Sequence, residues 1–318
     1  PRHLAHKPYT PAFQGPATVD AKSLGIKINP LGVVYGIPNL ACFVGSDITA
    51  VLTILDLDKQ DKFQLAIDMG TNGEMVIGSK DRLLCCSSPA GPAWEGACIT
   101  WGMRAKRGAI ERAEIENNEL HIRTIGESEP IGICGSGLID IVGEFFRAGA
   151  IDKSGRILDS VQLKTNRVSW LKSLIVNGKN GGNGLEIAKI GNNNSITISQ
   201  GDIREFQLAK AAIASGVKML IEAVKISPDK ISDVYIAGAF GNHIRAKDVL
   251  DLSLIPKILP EKIKFIGNAA LTGAEAILKS KEARKRAEQI SQKIEYVEIA
   301  DHPEFQENFA NAIHFSAH

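Results

Sequence analysis

Three short apolar runs, residues 64–68, 74–78 and 82–86, follow one another with only a few polar or glycine residues between them. Runs this short, separated by tight turns, cannot form helices of useful length and read as a three-stranded antiparallel meander. An apolar sheet face of this kind needs a cover. The segment 203–226 supplies one, because Phe206, Ala209, Ile213, Val217, Leu220 and Val224 recur every three or four residues along a long amphipathic helix. The fold class is therefore α/β, with helices packed on a sheet.

The remaining pattern extends this frame. Ser46 opens a helix in which Val51, Ile54 and Leu55 share a face, and the polar stretch Asp56–Lys62 separates that helix from the first strand. Residues 1–60 thus read as a connecting segment and a helix, and residues 61–318 as one lobe. Glu119–Thr124 reads as a strand. Leu138, Ile139, Val142, Phe145 and Phe146 have helical spacing, with Gly149 as the C-terminal cap. Residues 177–194 hold six Asn and five Gly, which predicts a mobile hairpin or surface insertion rather than a packed element. Thr272 with Glu275, and Asp301 with Glu304, have capping-box spacing for a helix reaching about residue 292 and a last helix ending near Phe315.

The 318 residues carry 37 Lys plus Arg against 36 Asp plus Glu, so no long-range field draws the chain to nucleic acid or to acidic lipid. The longest uncharged stretch, Ile28–Ser46, is broken by Asn29, Pro30, Gly32, Gly36, Pro38 and Asn39, which excludes a helical membrane span there. The five cysteines, Cys42, Cys85, Cys86, Cys98 and Cys134, show no CxxC spacing. Neither a disulfide framework nor a cysteine-held zinc or iron–sulfur site is expected, and a reducing compartment, the cytoplasm, follows. Adjacent Cys85 and Cys86 should point to opposite faces of their strand. The chain begins at Pro1 without a signal pattern and reads as a piece of a longer one.

Chemistry is concentrated in turns. In IDMGTNGE, residues 67–74, Asp68 closes an apolar strand and Gly70 and Gly73 allow backbone amides to converge on a phosphate, with Thr71 and Asn72 adding side-chain donors. Asp68 faces the same point and could hold a hydrated Mg²⁺; an ordinary hairpin with Asp68 steadying the turn is the alternative. AGAFGN, residues 237–242, follows the strand Val234–Ala237 and offers close backbone approach to a flat ligand such as adenine, or else close packing at a strand-to-helix turn. GICGSG, residues 132–137, opens a helix whose free amides suit an anion, or is a plain cap by Ser136. SSPAGPAWEG, residues 87–96, is a stiff loop in which Glu95 could orient a water or a metal-bound ligand, or else face solvent as most glutamates do. The basic run Lys279–Arg286 reads as a solvated helix face, and His243 is the one histidine beside a candidate site.

Together these motifs, with FIGNAALTGAEAIL at 265–278 and the tail YVEIADHPEFQENFANAIHF at 296–315, resemble the ATP-dependent reductive activators of corrinoid proteins. That family belongs to the acetate and sugar kinase, Hsc70 and actin (ASKHA) superfamily. The resemblance implies a ribonuclease-H-like, actin-like ATPase lobe with a mixed sheet flanked by helices. It implies ATP and Mg²⁺ as cofactors and a corrinoid protein of a methyl-transfer system as partner. The implied reaction uses ATP to drive an electron from an iron–sulfur domain onto cob(II)alamin, giving cob(I)alamin. Asp68 and Glu95 would be catalytic and Asp68 the metal residue. Asp68, Gly70, Thr71, Asn72, Gly73, Glu74, Ser88, Gly91, Gly135, Ser136, Gly137, Gly238, Ala239, Gly241 and Asn242 would line the nucleotide. The chain departs from the pattern in having one phosphate turn and no cluster cysteines, so the iron–sulfur cluster and the first lobe are expected upstream, with residues 1–60 as the crossing between lobes. A small-molecule kinase of the same superfamily is the second reading, and a non-catalytic docking or homodimerisation fragment the third.

Overall fold

The computed structural model describes residues 13–163, 166–178, 182–191, 194–238, 244–299 and 301–315. The chain opens with an antiparallel pair, β1 (Ala17–Asp20) and β2 (Val33–Gly36), followed by helix α1 (Ser46–Leu55). The meander follows as β3 (Gln64–Met69), β4 (Gly73–Gly78) and β5 (Leu83–Ser88). Next come β6 (Ala109–Glu116), β7 (Glu119–Thr124), β8 (Gly132–Ile133) and α2 (Gly135–Arg147). A second small sheet, β9 (Ile175–Asn177), β10 (Asn183–Ile190) and β11 (Asn194–Ser199), leads into the long α3 (Gln200–Ala223). The chain ends with β12 (Val234–Ala237), α4 (Ala246–Asp251), β13 (Ile263–Gly267), α5 (Ala269–Lys279), α6 (Lys281–Lys293), β14 (Glu295–Tyr296) and α7 (Pro303–Ala312).

The central sheet has the order β13-β12-β3-β4-β5-β14. β12 runs parallel to both β3 and β13, and the meander is antiparallel. Its two faces are separate cores, as strand alternation requires. Leu65, Ile67, Met75, Ile77, Leu84 and Cys86 pack on one side with Phe206, Ile213 and Val217 of α3. Ala66, Val76, Leu83 and Cys85 pack on the other with Ile48 and Leu52 of α1, Leu57 and Ile290 of α6. Cys85 and Cys86 thus point oppositely, both buried, and burial raises both thiols' pKa values. Helix α1 also lies tightly on α5, where a Cβ on Gly273 would overlap the Ala50 carbonyl oxygen.

Several expectations are corrected. Residues 183–190 are not a loose surface insertion: Leu185 and Ile187 of β10 are buried in the main core beside Ile196 and Ile198 of β11, their alternation outweighing the neighbouring Asn and Gly. Residues 179–181, 192 and 193 lie outside the described residues. The buried side of α1 carries Ile48, Val51 and Leu52, while Ile54 is exposed. Thr272 lies inside α5, whose cap is the Asn268 side chain accepting from Leu271 N–H at 3.1 Å. Ser280 then ends that helix and caps α6, so one expected helix is two. The N-cap of α7 is His302 with Pro303 at the first helical position, not Asp301. Within the basic run, Arg286 is no solvated residue; it turns inward onto Asp58, whose pKa it lowers.

A charged cluster joins α2 to α4. Asp140 and Asp248 are wholly buried. Arg245 pairs with Glu144 at 2.8 Å, Asp248 at 2.7 Å and Asp140 at 3.4 Å, and Arg147 pairs with Asp248 at 2.6 Å. Burial and the neighbouring Asp248 push the Asp140 carboxyl up to about 7. Removing one cation strands buried carboxylates, so Arg245→Met is expected to cost about 3 kcal/mol, read as a lower urea midpoint at unchanged slope.

Candidate functional site

The site forms where β3 gives way to β4. In the antiparallel register Asp68 stands directly opposite Glu74, and Glu74 opposite Ser87, so these side chains share one face. That face is the α1 side, and the residue nearest in charge is Asp47 in the first turn of α1. Burial, then Asp47, pushes the Asp68 carboxyl up to about 6. Burial, Asp47 and Asp68 push Glu74 up to about 8, against a lowering contribution from the Ser87 hydroxyl, which donates to Glu74 Oε1 at 3.4 Å. Three carboxylates therefore oppose one another's charge around the turn. Asp47 was not among the sequence candidates; its only signal was an acidic residue opening a helix.

The turn is pinned from the stiff loop. Thr71 Oγ1 donates to Glu95 Oε1 at 2.9 Å, and Gly91 N–H donates to the Thr71 carbonyl at 2.8 Å. The expectation that Thr71 offers a free donor is overturned, since its proton goes to Glu95 and only lone pairs face outward. Gly70 N–H is spent on the Asn72 carbonyl at 3.1 Å. Asn72 is exposed and keeps its amide at the surface. The open side of the turn is thus rich in acceptors, a setting that suits a cation better than a bare anion.

The other candidates divide. Gly73 is needed for packing, because a Cβ would come within 2.8 Å of Ile213. Ser88 is buried on the α3 face, opposite to Asp68, and stands apart from the carboxylates. Gly137 also packs, its missing Cβ making room for the Ile110 carbonyl. The cap of α2 is Cys134, not Ser136. Gly135 and Ser136 line a cavity of about 550 Å³ together with Glu95. Gly238 follows directly on β12, whose last residue Ala237 pairs with Asp68, and has φ 129°. An added Cβ there would lie 2.7 Å from the Met69 carbonyl oxygen, so the close approach is to the protein's own strand and the packing alternative holds. Ala239, Gly241, Asn242 and His243 lie outside the described residues.

Among the described residues no group of three or more His, Cys, Asp or Glu is arranged to hold a metal ion directly. Mutually repelling carboxylates beside an acceptor-rich turn fit a cation that keeps most of its waters, which is how magnesium is commonly bound.

The profile of the family described as the C-terminal domain of RACo, the ASKHA domain, matches residues 62–318. The chain belongs to this RACo ASKHA-domain family. The order of its central sheet and the flanking helices are those of an ASKHA, actin-like lobe, a nucleotide-binding architecture. The RACo middle-region profile matches residues 1–60. The corrinoid activation enzyme RamQ of Eubacterium limosum is 37% identical over 312 residues, covering 97% of this chain and 52% of the relative. The [Co(II) methylated amine-specific corrinoid protein] reductase of Methanosarcina barkeri is 26% identical over 281 residues, covering 81% and 46%. A solved structure of a reductive activator for corrinoid, iron–sulfur protein superimposes with a TM-score of 0.89 at 39% identity, over 99% of this RACo-family chain and 50% of that one. The chain spans about half the length of the curated relatives it matches. Among its described residues no helix is long and apolar enough to cross a membrane.

Proposed function

We propose that this chain is the second nucleotide-binding lobe of an ATP-dependent reductive activator of a corrinoid protein, acting in the cytoplasm. The observation that carries the reading is the Asp68–Glu74 pair, two carboxylates with no cation paired to them among the described residues, at the mouth of a glycine turn in an ASKHA-family lobe. In the reaction ATP is hydrolysed to ADP and phosphate, and one electron reduces cob(II)alamin to cob(I)alamin. The electron comes from an iron–sulfur domain in the part of the protein beyond these residues. Residues 1–60 serve as the crossing between lobes and residues 61–318 as the lobe itself.

Asp68 would hold the cation through its waters, with Glu74 behind it, and Mg²⁺ there supplies neutralisation of the phosphate charge. Asn72 donates to the phosphate from the exposed tip of the turn. Glu95 fixes the Thr71 hydroxyl so that its lone pairs accept from a water, which is thereby held in place beside the reacting phosphate. Gly135 and Ser136 line the neighbouring cavity, into which Glu95 also reaches.

A lobe on one side of a cleft cannot surround a γ-phosphate, so residues 1–318 alone should bind Mg-ATP weakly. They should turn it over ~10³-fold more slowly than the full-length protein. The test is a steady-state ATPase assay of both chains, each with and without a cob(II)alamin protein. Equal, partner-stimulated activity in the two chains would overturn the two-lobe reading. A full-length protein that phosphorylates a small molecule, and leaves cobalt oxidised, would overturn the activator reading.

A further inference from the structure

A second cavity, of about 510 Å³, opens between α3 and α7, and none of residues 67–74 lines it. Its size is that of a small-molecule site. Ile221 of α3, Ile226 and Pro228 beyond that helix, and Ile255 and Pro256 after α4 make most of its wall apolar. The polar residues along it divide into those that are sealed and those that are open. Lys210 is wholly buried, and its Nζ donates to the His314 carbonyl at 2.7 Å. Ser215 is buried and donates to the Ala211 carbonyl at 2.6 Å, and the Ser253 hydroxyl is closed off from solvent. None of these three reaches a ligand.

Asn308 and Lys218 are different. They meet in the cavity wall, where Lys218 Nζ donates to Asn308 Oδ1 at 2.6 Å. That bond fixes the amide's oxygen on the lysine and leaves both Nδ2 protons without a partner among the described residues. Asn308 is only 7% exposed, yet its Nδ2 is not among the sealed atoms, so the little surface the residue keeps is at the cavity it lines. Lys218 is half-exposed and has further protons to give. Glu222, one helical turn along α3, stands 3.7 Å from Lys218 Nζ, beyond hydrogen-bond reach, and is itself half-exposed, so water screens it.

The polar end of the cavity thus offers two donors side by side, one of them on a positive group, inside apolar walls. An ammonium would meet Lys218 head on. A hydroxyl would use one donor and leave the other. The two oxygens of a carboxylate would use both, and the lysine would balance the charge. We propose that this cavity binds a small organic acid, a carboxylate on an unbranched apolar chain, with one oxygen on Lys218 Nζ and the other on Asn308 Nδ2. The chain lies along Ile221, Ile226, Ile255 and Pro256. The site is separate from the nucleotide turn, and the two can be filled together.

The test titrates the full-length protein calorimetrically with octanoate, octanol and octylamine. Octanoate should bind at least about tenfold more tightly than octanol, and octylamine should not bind. Asn308→Leu, which keeps the residue's size, should abolish the preference for octanoate. Lys218→Glu, at a half-exposed position, should transfer it to octylamine, and Glu222→Gln should tighten octanoate about threefold. Mg-ATP affinity should be the same with and without octanoate. Octanoate bound no more tightly than octanol, a preference unchanged by both Asn308→Leu and Lys218→Glu, or displacement of Mg-ATP by octanoate would overturn the assignment. Should Asn308→Leu fail to fold, Lys218→Glu and Glu222→Gln decide, and an unaltered preference in both would overturn it equally.

Discussion

Asp68→Asn in the full-length protein is expected to lower ATP-dependent reduction of the corrinoid partner by ~10²–10³-fold while raising the melting temperature. The two effects have one origin. Asp68 and Glu74 have carboxyls raised to about 6 and about 8 in the folded chain, above their values in an unfolded one. The folded state therefore holds more protons over that window. Stability should fall as pH rises from about 4 to 6 through Asp68, and on to about 8 through Glu74. Above pH 8 both are charged and repel, and replacing one by a neutral amide relieves a burden on the order of 2 kcal/mol. Mg²⁺ should provide the same relief without mutation. Melting curves from pH 5 to 8.5 should slope downward in a chelator and flatten in millimolar Mg²⁺ for the unaltered protein, with Mg²⁺ having little effect on Asp68→Asn. Identical curves with and without Mg²⁺ would remove the cation from the site.

Gly238→Val is expected to unfold the lobe rather than empty its ligand site. A β-branched residue at φ 129° is strained by several kcal/mol, and its Cβ would press on the Met69 carbonyl at 2.7 Å, for a combined cost on the order of 5 kcal/mol. The variant should be recovered largely insoluble, and any folded fraction should retain the nucleotide affinity of the parent. A soluble variant with an unchanged urea midpoint and weakened nucleotide binding would return Gly238 to the ligand.

The contrast between these residues explains what was legible in the sequence. The meander could be read because each strand is bounded by turn residues, and α3 because its apolar stripe runs the helix's length. Asp68 stood out because a carboxylate ending a buried strand has few structural uses, and the structure sets Glu74 opposite it. Gly238 was ambiguous because a missing Cβ makes room for a ligand or for a neighbouring strand, and composition does not say which. Thr71 was misread for a similar reason: a hydroxyl advertises a donor, but only the position of Glu95, far along the chain, decides where the proton goes. Asp47 was missed because its charge matters only once α1 is folded against the sheet. The sheet at residues 183–199 was legible in the alternation of Leu185 with Ile187 and Ile196 with Ile198, which the surrounding Asn and Gly obscured.

The seam between the two family profiles, after residue 60, is not a seam in the folded chain. Helix α1 forms the second layer over the sheet, touches α5 at Ala50 and Gly273, and is followed by Asp58, held by Arg286 of α6. A chain starting at Lys62 would bare Ala66, Val76, Leu83 and Cys85 to water and strip Gly273 of the neighbour its small size admits. Such a chain would aggregate or remain molten, so the unit of cooperative unfolding straddles the boundary by which the family is divided. Any motion imposed on α1 is then felt by the sheet as a whole, and Asp47, riding on that helix, carries it to the two carboxylates at the turn.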